Sequence, residues 1–147
     1  MIETVGWWFV RRGRSPRAVA AARVGAFGEW VACRYYRRCG FRILGRNRRI
    51  AGVEIDLLVR SRRDGILVLV EVKTSTNGIS GLRRIDRNQC RRLSRAAERL
   101  GGFGSVELHA ADVDVSEPRP RVRSVTISPL DRISLRPTGR GSGPRRS

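Results

Sequence analysis

Two apolar segments joined by a short polar connection constrain the fold of this 147-residue chain more than any other feature. The segments are 53–59 and 66–72, and the connection between them ends in Asp64-Gly65. An Asp-Gly pair between two apolar runs is a strong hairpin signal, because both residues accept the positive φ of a tight turn. The sequence therefore predicts two adjacent antiparallel strands. The second is apolar on both faces up to Glu71, which predicts a central strand covered on both sides.

Charged side chains recur at the end of these two strands. Because successive side chains point to opposite faces, Glu54 and Asp56 share one face of the first strand, and Glu71 and Lys73 share one face of the second. Lys73 is also the only lysine among the 31 basic residues. Its acidic neighbours favour a need for an amine there, and the alternative is a coding bias towards arginine that left one lysine by chance.

This arrangement predicts a metal site. Two carboxylates on neighbouring strands suit Mg2+ or Mn2+, so Asp56 and Glu71 are the predicted ligands. Lys73 is predicted to position a water or to stabilise developing negative charge, as phosphodiester hydrolysis requires. Glu54 is a further candidate, either as a ligand or as the partner of an arginine. The alternative is a set of strand-end salt bridges without a metal.

Helical periodicity flanks the hairpin on both sides. A first helix is predicted over 24–39, ended by Gly40, and its core-facing apolar stripe comprises Val24, Phe27, Val31 and Tyr35. A second helix is predicted over 82–100, and the residues that it turns towards the core are Ile85, Leu93, Ala97 and Leu100. The other elements predicted are strands over 41–44, 107–115 and 121–128, a bend at 47–49 and a loop over 74–81.

The net charge of +18 predicts a polyanionic partner, and we place nucleic acid first. An anionic membrane surface and an acidic protein are the alternatives. Six arginines are the candidate phosphate contacts, four of them three or four residues apart in the second predicted helix. They are Arg48, Arg49, Arg84, Arg87, Arg91 and Arg95.

The ends of the chain differ from its middle in composition. We predict an endonuclease-like domain over 23–130, a basic N-terminal extension over 1–22 and a disordered basic tail over 131–147. A secretory signal and a membrane-spanning run are not apparent, so we expect a cytoplasmic protein without a membrane partner. Cys33, Cys39 and Cys90 match no zinc-binding spacing and are predicted to be free thiols.

Six motifs together carry a resemblance to a known family. In order and spacing they resemble the UPF0102 family, also called YraN, and the match runs from about residue 25 to residue 115. The motifs are Gly28-Glu29-x-x-Ala32, Gly40-Phe41-x-Ile43-Leu44, Asn47-Arg48-Arg49, Glu54-Ile55-Asp56-Leu57, Val70-Glu71-Val72-Lys73-Thr74 and Arg92-Leu93-x-x-Ala96-Ala97.

The family in turn looks like the PD-(D/E)xK nucleases, especially the archaeal enzymes that cleave Holliday junctions. The resemblance implies a restriction-endonuclease-like α/β core, with a mixed central β-sheet flanked by helices. It also implies catalytic roles for Glu29, Asp56, Glu71 and Lys73, with Glu29 joining the two strand carboxylates as a metal ligand.

The chain departs from the family pattern at three positions near this site. Val53 replaces the usual Gly before Glu-Ile-Asp, Ser75 replaces an Arg, and Gln89, a candidate accessory residue, takes the place of a Lys. None of these changes removes a predicted metal ligand.

The expected function is Mg2+- or Mn2+-dependent cleavage of DNA. The candidate substrates are branched or damaged DNA in repair or recombination. The alternative is a noncatalytic nucleic-acid-binding or scaffold protein on a nuclease fold. Branched substrates would favour a homodimer, although no residue specifies an interface.

Overall fold

A computed structural model describes residues 15–127 and 136–137 of the chain. Five strands form a mixed sheet in the order β1-β2-β3-β4-β5, to which the two-residue β6 adds an edge. The strands are β1 (Phe41–Ile50), β2 (Val53–Ser61), β3 (Leu67–Ser75), β4 (Val106–Asp114), β5 (Arg121–Thr126) and β6 (Arg136–Pro137). The helices are α1 (Pro16–Arg38) and α2 (Arg87–Leu100), and short 3-10 helices cover Gly81–Arg84 and Gly101–Phe103.

The predicted hairpin is confirmed. β2 and β3 are antiparallel, and their register runs from Leu57 opposite Val70 to Arg60 opposite Leu67. β3 then pairs in parallel with β4, and α2 makes the crossover between them. The observed architecture is a mixed sheet flanked by two helices, consistent with the restriction-endonuclease-like core that the sequence predicts.

β3 is buried on both faces, as its apolar run predicts. Val68 and Val70 lie in a hydrophobic cluster with α1, whereas Leu69 lies in a second cluster with α2. Each helix therefore covers one face of the sheet. The alternation continues along β3, so Glu71 and Lys73 share the α2 face with Leu69.

α1 begins at Pro16, eight residues before the predicted start. The Ser15 side chain accepts the backbone N–H of Ala18 at 3.2 Å, and Pro16 occupies the first helical turn. The residues from 15 to 23 are exposed, so this part of the helix carries no apolar period. The helix thus extends into the segment predicted as an extension.

The predicted buried stripe of α1 is wrong at Phe27, which is 45% exposed. The residues that face the sheet are Gly28, Val31, Ala32, Cys33 and Tyr36. Glycine and alanine in this set allow a close approach to the strands but contribute little to an apolar period. Phe27 therefore completed the apolar period of this helix in the sequence, although its side chain is partly exposed to solvent.

The chain does not turn at the bend predicted over 47–49, because β1 continues through it to Ile50, although φ is +47° at Asn47. The chain reverses instead at Ala51-Gly52, where φ is +49° and +75°. Positive φ at two successive residues is what a two-residue hairpin turn needs, and alanine rarely adopts it. The Ala-Gly pair is consequently a weak turn signal in the sequence.

The second predicted helix is divided in the structure. The 3-10 helix Gly81–Arg84 is followed by Asp86, whose side chain accepts the Gln89 N–H at 2.7 Å and caps α2. β3 also runs two residues into the predicted loop, as far as Ser75. The strands predicted over 107–115 and 121–128 are confirmed as β4 and β5.

The chain termini lie largely outside the described residues, including the predicted N-terminal extension up to residue 14 and most of the predicted tail. Arg136–Pro137, inside that tail, pairs with β5. The three cysteines are free thiols, as predicted. Neither helix of the described part is long and apolar enough to span a membrane.

A buried polar cluster fastens α1 to the sheet. The Tyr36 hydroxyl lies 2.7 Å from Ser124 Oγ and 3.1 Å from His109 Nδ1. Burial lowers the pKa of His109, so the imidazole is neutral at pH 7. The cluster holds the C-terminal half of α1 against β4 and β5, which fixes the position of the residues one to two turns earlier.

Candidate functional site

The predicted acidic residues meet where β2 separates from β3. The register between these strands ends at Leu57, one residue after Asp56. In place of a backbone pair, Asp56 Oδ2 accepts the N–H of Val72 at 2.7 Å. The Asp56 carboxylate is thus held at the point where the two strands part, directly beside Glu71.

Glu71 is a buried carboxylate with two partners from different elements. Its Oε1 accepts a hydrogen bond from Lys73 Nζ at 2.8 Å and another from Gln89 Nε2 of α2. Only 8% of Glu71 is exposed, so an ammonium and an amide replace the water that a carboxylate would otherwise bind. The structure therefore brings Asp56, Glu71, Lys73 and Gln89 together.

The environment of Asp56 disfavours its negative charge. Burial, and next the charge of Glu71, raise the pKa of Asp56 to about 7, although the Val72 N–H acts in the opposite direction. Two carboxylates that repel one another in a partly buried site form a natural place for a cation. A bound cation would favour the ionised form of both.

A cleft of about 480 Å³ opens beside this pair. Its described lining combines three carboxylates, two guanidiniums and the amide of Gln89. The charged members are Arg49, Glu54, Asp56, Glu71 and Arg92. Glu54 thus lies in the cleft, as the predicted face of β2 requires. Its position opposite Arg49 in the β1–β2 register is compatible with the predicted arginine partner.

Glu29 lies at the border of the site. Its Oε2 accepts a hydrogen bond from Asn47 Nδ2 at 3.2 Å, and its negative charge contributes to the raised pKa of Asp56. Over residues 15–127, however, no three Asp, Glu, His or Cys side chains are grouped closely enough to hold a metal ion. Glu29 as the third ligand therefore stays a prediction.

Asp56 and Glu71 nevertheless fit a hard divalent cation. No hydrogen bond from the described residues reaches Asp56 Oδ1 or Glu71 Oε2, which leaves one oxygen of each carboxylate for another partner. Mg2+ is commonly held by one or two carboxylates and completes its octahedron with water and substrate oxygens. The donor set is compatible with Mg2+ or Mn2+.

Comparison with known sequences agrees with the motifs. The sequence profile described as "Uncharacterised protein family UPF0102" matches residues 28–121. A UPF0102 protein of Rhizorhabdus wittichii is 35% identical over 112 residues, which cover 76% of this chain and 93% of that protein. Another, from Parvibaculum lavamentivorans, is 36% identical over 105 residues, covering 71% and 75%. The chain belongs to the UPF0102 family.

Val53, Ser75 and Gln89, the expected departures from the UPF0102 pattern, lie on β2, β3 and α2. Gln89 Nε2 donates to Glu71 Oε1, so this contact to the carboxylate is made by a neutral amide. Ser75 is buried, and its Oγ is a buried polar atom without a hydrogen-bond partner in the described structure. Val53 lines the cleft.

The candidate phosphate-binding arginines of this UPF0102 chain divide into two groups. Arg87, Arg91 and Arg95 are exposed and four residues apart on α2, so they form one stripe. Arg84 does not continue it, because it belongs to the preceding 3-10 helix and donates to the Thr74 carbonyl at 2.6 Å. On β1, Arg49 reaches the cleft, whereas Arg48 packs along Gly45.

Sequence reasoning missed two features of the site. Arg92 lines the cleft although it lies off the predicted arginine stripe. Asp112 of β4 accepts Ser80 Oγ at 2.7 Å and the Gly81 N–H at 2.9 Å, which holds the turn after β3 against Lys73. A Cβ on Gly81 would lie 2.7 Å from the Lys73 Cβ. Only the parallel register, which places Asp112 opposite Lys73, reveals this contact.

Proposed function

We propose that this protein is a divalent-metal-dependent nuclease that hydrolyses phosphodiester bonds in DNA. The observation that carries the proposal is the convergence of Asp56 and Glu71, with Lys73 hydrogen-bonded to Glu71, in a cleft that also contains Arg49 and Arg92. Carboxylates and guanidiniums in one cleft, with an amine hydrogen-bonded to one of the carboxylates, match the needs of phosphodiester hydrolysis, which requires a cation site and neutralisation of the phosphate.

Each residue has a distinct part in the proposed reaction. Asp56 and Glu71 would hold Mg2+ or Mn2+, which when bound supplies charge neutralisation and lowers the pKa of a coordinated water. Lys73, oriented by Glu71, would donate to the attacking water or to a phosphate oxygen as negative charge develops. Gln89 of α2 would help to hold the Glu71 carboxylate in place, and Arg49 and Arg92 would bind the phosphates.

The surface charge supports a polyanionic substrate. The chain carries a net charge of +18, and Arg87, Arg91 and Arg95 are exposed on α2. A protein that contacts DNA through such residues displaces counterions, so we expect affinity to fall steeply as the salt concentration rises. Homodimerisation, repair and recombination stay predictions from the resemblance.

The second candidate is a noncatalytic nucleic-acid-binding protein. It is favoured by one observation, namely that Glu71 Oε1 is already engaged by both Lys73 and Gln89 while Glu29 is bonded to Asn47. Polar groups that satisfy one another in this way can stabilise a fold without binding a metal.

The two candidates are separated by a cleavage assay. Labelled single-stranded, duplex, flapped and four-way DNA would be incubated with Mg2+, Mn2+ or EDTA, and binding would be followed in the EDTA samples. The variants are Asp56→Asn, Glu71→Gln and Lys73→Ala, and Glu98→Gln on the exposed surface of α2 is the matched control.

We expect metal-dependent cleavage that falls at least about a hundredfold in the three site variants and persists in Glu98→Gln, with binding retained throughout. Tight binding without cleavage of any substrate would establish the noncatalytic candidate. Cleavage that survives in all three site variants would contradict the assigned site.

A further inference from the structure

Two aromatic side chains of α1 form an exposed pair outside the cleft. Phe27 and Trp30 are 45% and 46% exposed, and their rings stack with centroids 5.8 Å apart and planes inclined by 20°. We call this pair the α1 platform. Large aromatic rings normally bury most of their surface, so a flat, stacked pair that stays in contact with solvent indicates a surface for a ligand.

Arginines lie at both ends of the α1 platform. Arg23 precedes Phe27 by one turn, and Arg34 follows Trp30 by one turn with its guanidinium carbon 5.0 Å from the Trp30 ring centroid. Arg37 and Arg38 lie one turn further on, and all four arginines are exposed. From Arg23 to Arg38 the stripe is roughly 22 Å long, at about 1.5 Å per residue.

A groove continues from the platform onto the sheet. It has a volume of about 230 Å³ and is bordered by Trp30, Arg34 and Arg38 on one side and by Pro120 and Val122 on the other. The groove thus offers an aromatic edge, an apolar wall and two cations. These are the chemical features that a nucleotide requires, because its base is planar and its phosphate is anionic.

We propose that the α1 platform binds unpaired bases of a single-stranded nucleic-acid segment by stacking. Every base has a π-face, so aromatic stacking is tolerant of sequence, and flanking arginines add phosphate contacts and cation–π contributions. The inference rests on the proposed nuclease for its consequence, which is that the substrate carries unpaired nucleotides in addition to the bond that is cleaved. The binding itself requires no cleavage.

The platform lies beside Glu29 in sequence, although it is on the outer side of α1 and the cleft is on the α2 face of the sheet. Gly28 and Glu29 lie between Phe27 and Trp30, Gly28 packs against Thr74 of β3, and the charge of Glu29 reaches Asp56. A strand stacked on the outer face of α1 would therefore lie within about one helical turn of Glu29, on the other side of the sheet from the α2 residues that line the cleft.

Charge argues against two other occupants of the α1 platform. In a symmetric contact between two copies, the four exposed α1 arginines would face the same arginines of the other copy. Like charges repel, so this contact is disfavoured. Helices that lie in a membrane surface bury a broad apolar face, whereas this stripe carries four arginines and two aromatic rings. Both remain outcomes of the test below.

The test compares single-stranded with double-stranded binding. A labelled 20-nucleotide single strand and the matching duplex would be titrated with the full chain in EDTA, with fluorescence anisotropy as the readout. The variants are Trp30→Ala and Phe27→Ala. Leu44→Ala removes an exposed apolar side chain from β1 as the matched control, and Trp30→Tyr keeps an aromatic ring.

We expect each alanine variant at the platform to weaken single-strand binding at least about fivefold and duplex binding less than about twofold. Leu44→Ala should have no effect, and Trp30→Tyr should retain most of the affinity. Circular dichroism would verify that the variants are folded, and Phe27→Ala provides a second measurement if Trp30→Ala is unstable.

The inference would be overturned if the alanine variants lost affinity for the single strand and the duplex equally, or for neither. It would also be overturned by a concentration-dependent dimer that Trp30→Ala abolishes, or by Trp30-dependent binding to anionic vesicles with unchanged single-strand affinity. The proposed nuclease can fail separately. Trp30-dependent single-strand binding without cleavage of any DNA would support the platform and reject the nuclease. Normal metal-dependent cleavage and normal single-strand affinity in Trp30→Ala would support the nuclease and reject the platform.

Discussion

Gly28 of α1 packs so closely against Thr74 of β3 that a Cβ on Gly28 would lie 2.9 Å from the Thr74 Cβ and closer still to its hydroxyl. Thr74 directly follows Lys73, and Glu29 directly follows Gly28. The contact therefore fixes the distance between α1 and the end of β3 at the point where helix and strand both contribute candidate site residues.

We predict that Gly28→Ala destabilises the protein by about 1–3 kcal/mol, the usual cost of overpacking a tight contact. Gly25→Ala is the matched control, because it lies on the same helix with no atom within 4 Å of its ideal Cβ. That variant should gain roughly 0.5–1 kcal/mol from better helix propensity. Urea unfolding would measure the free energy of unfolding of both variants. A Gly28→Ala variant as stable as Gly25→Ala would contradict the role given to Gly28.

The pKa of Asp56 predicts a pH-dependent stability. Its folded value of about 7 lies above the ordinary value of 3.8, so stability is fully present below about pH 4 and is lost as the pH rises towards 7. A shift of this size corresponds to on the order of 4 kcal/mol at most. Asp56→Asn cannot ionise and keeps an oxygen for the Val72 N–H.

Asp56→Asn should therefore be more stable than the wild type at pH 8 in EDTA, by an advantage that shrinks towards pH 5. Unfolding in urea at pH 5, 6, 7 and 8 measures the difference, and comparison of the two proteins cancels the other titrating groups. A difference that is constant over this range would indicate that Asp56 titrates normally.

Local patterns predicted much of this fold, and contacts between distant segments account for what they missed. The β2–β3 hairpin was predictable because Asp64-Gly65 and the two apolar runs act within a short stretch of chain. The face of α1 was not, because Phe27 resembles a core residue by type while Gly28 is buried through its fit to Thr74.

The candidate site divides in the same way. The shared face of Glu71 and Lys73 follows from strand alternation alone, and their hydrogen bond agrees with it. The hydrogen bond from Val72 to Asp56 depends on β2 leaving its register, and the support of Lys73 by Asp112 depends on a parallel strand some 40 residues later in the chain. No local period encodes either of these contacts.

Asp112→Ala should destabilise the protein by about 2–4 kcal/mol, because two hydrogen bonds to a partly buried carboxylate are lost. Asp114→Ala removes a half-buried carboxylate from the same strand, one that accepts the Ser116 N–H at 2.9 Å, and should destabilise the protein less than Asp112→Ala does. Thermal unfolding of the two variants is the measurement. Similar losses would mean that the turn over Ser80 and Gly81 does not depend on Asp112.

Arg92 and the stripe of Arg87, Arg91 and Arg95 should contribute differently to the proposed reaction. Helical geometry turns Arg91 about 100° away from Arg92, so Arg91 faces solvent while Arg92 lines the cleft with Gln89. Arg91→Ala should weaken DNA binding by a similar factor for all sequences and reduce the salt slope by about 1. Arg92→Ala should slow cleavage more than it weakens binding, because its contact lies beside Glu71.

Arg99→Ala is the control for Arg92→Ala, since Arg99 lies on nearly the same side of α2 about 10 Å further along the helix axis. Single-turnover cleavage at saturating protein separates rate from affinity, and anisotropy in EDTA at several salt concentrations gives the slope. A cleavage rate in Arg92→Ala equal to that in Arg99→Ala would exclude Arg92 from the reaction. The phosphate contacts would then be assigned to the exposed stripe, as the sequence pattern alone predicts.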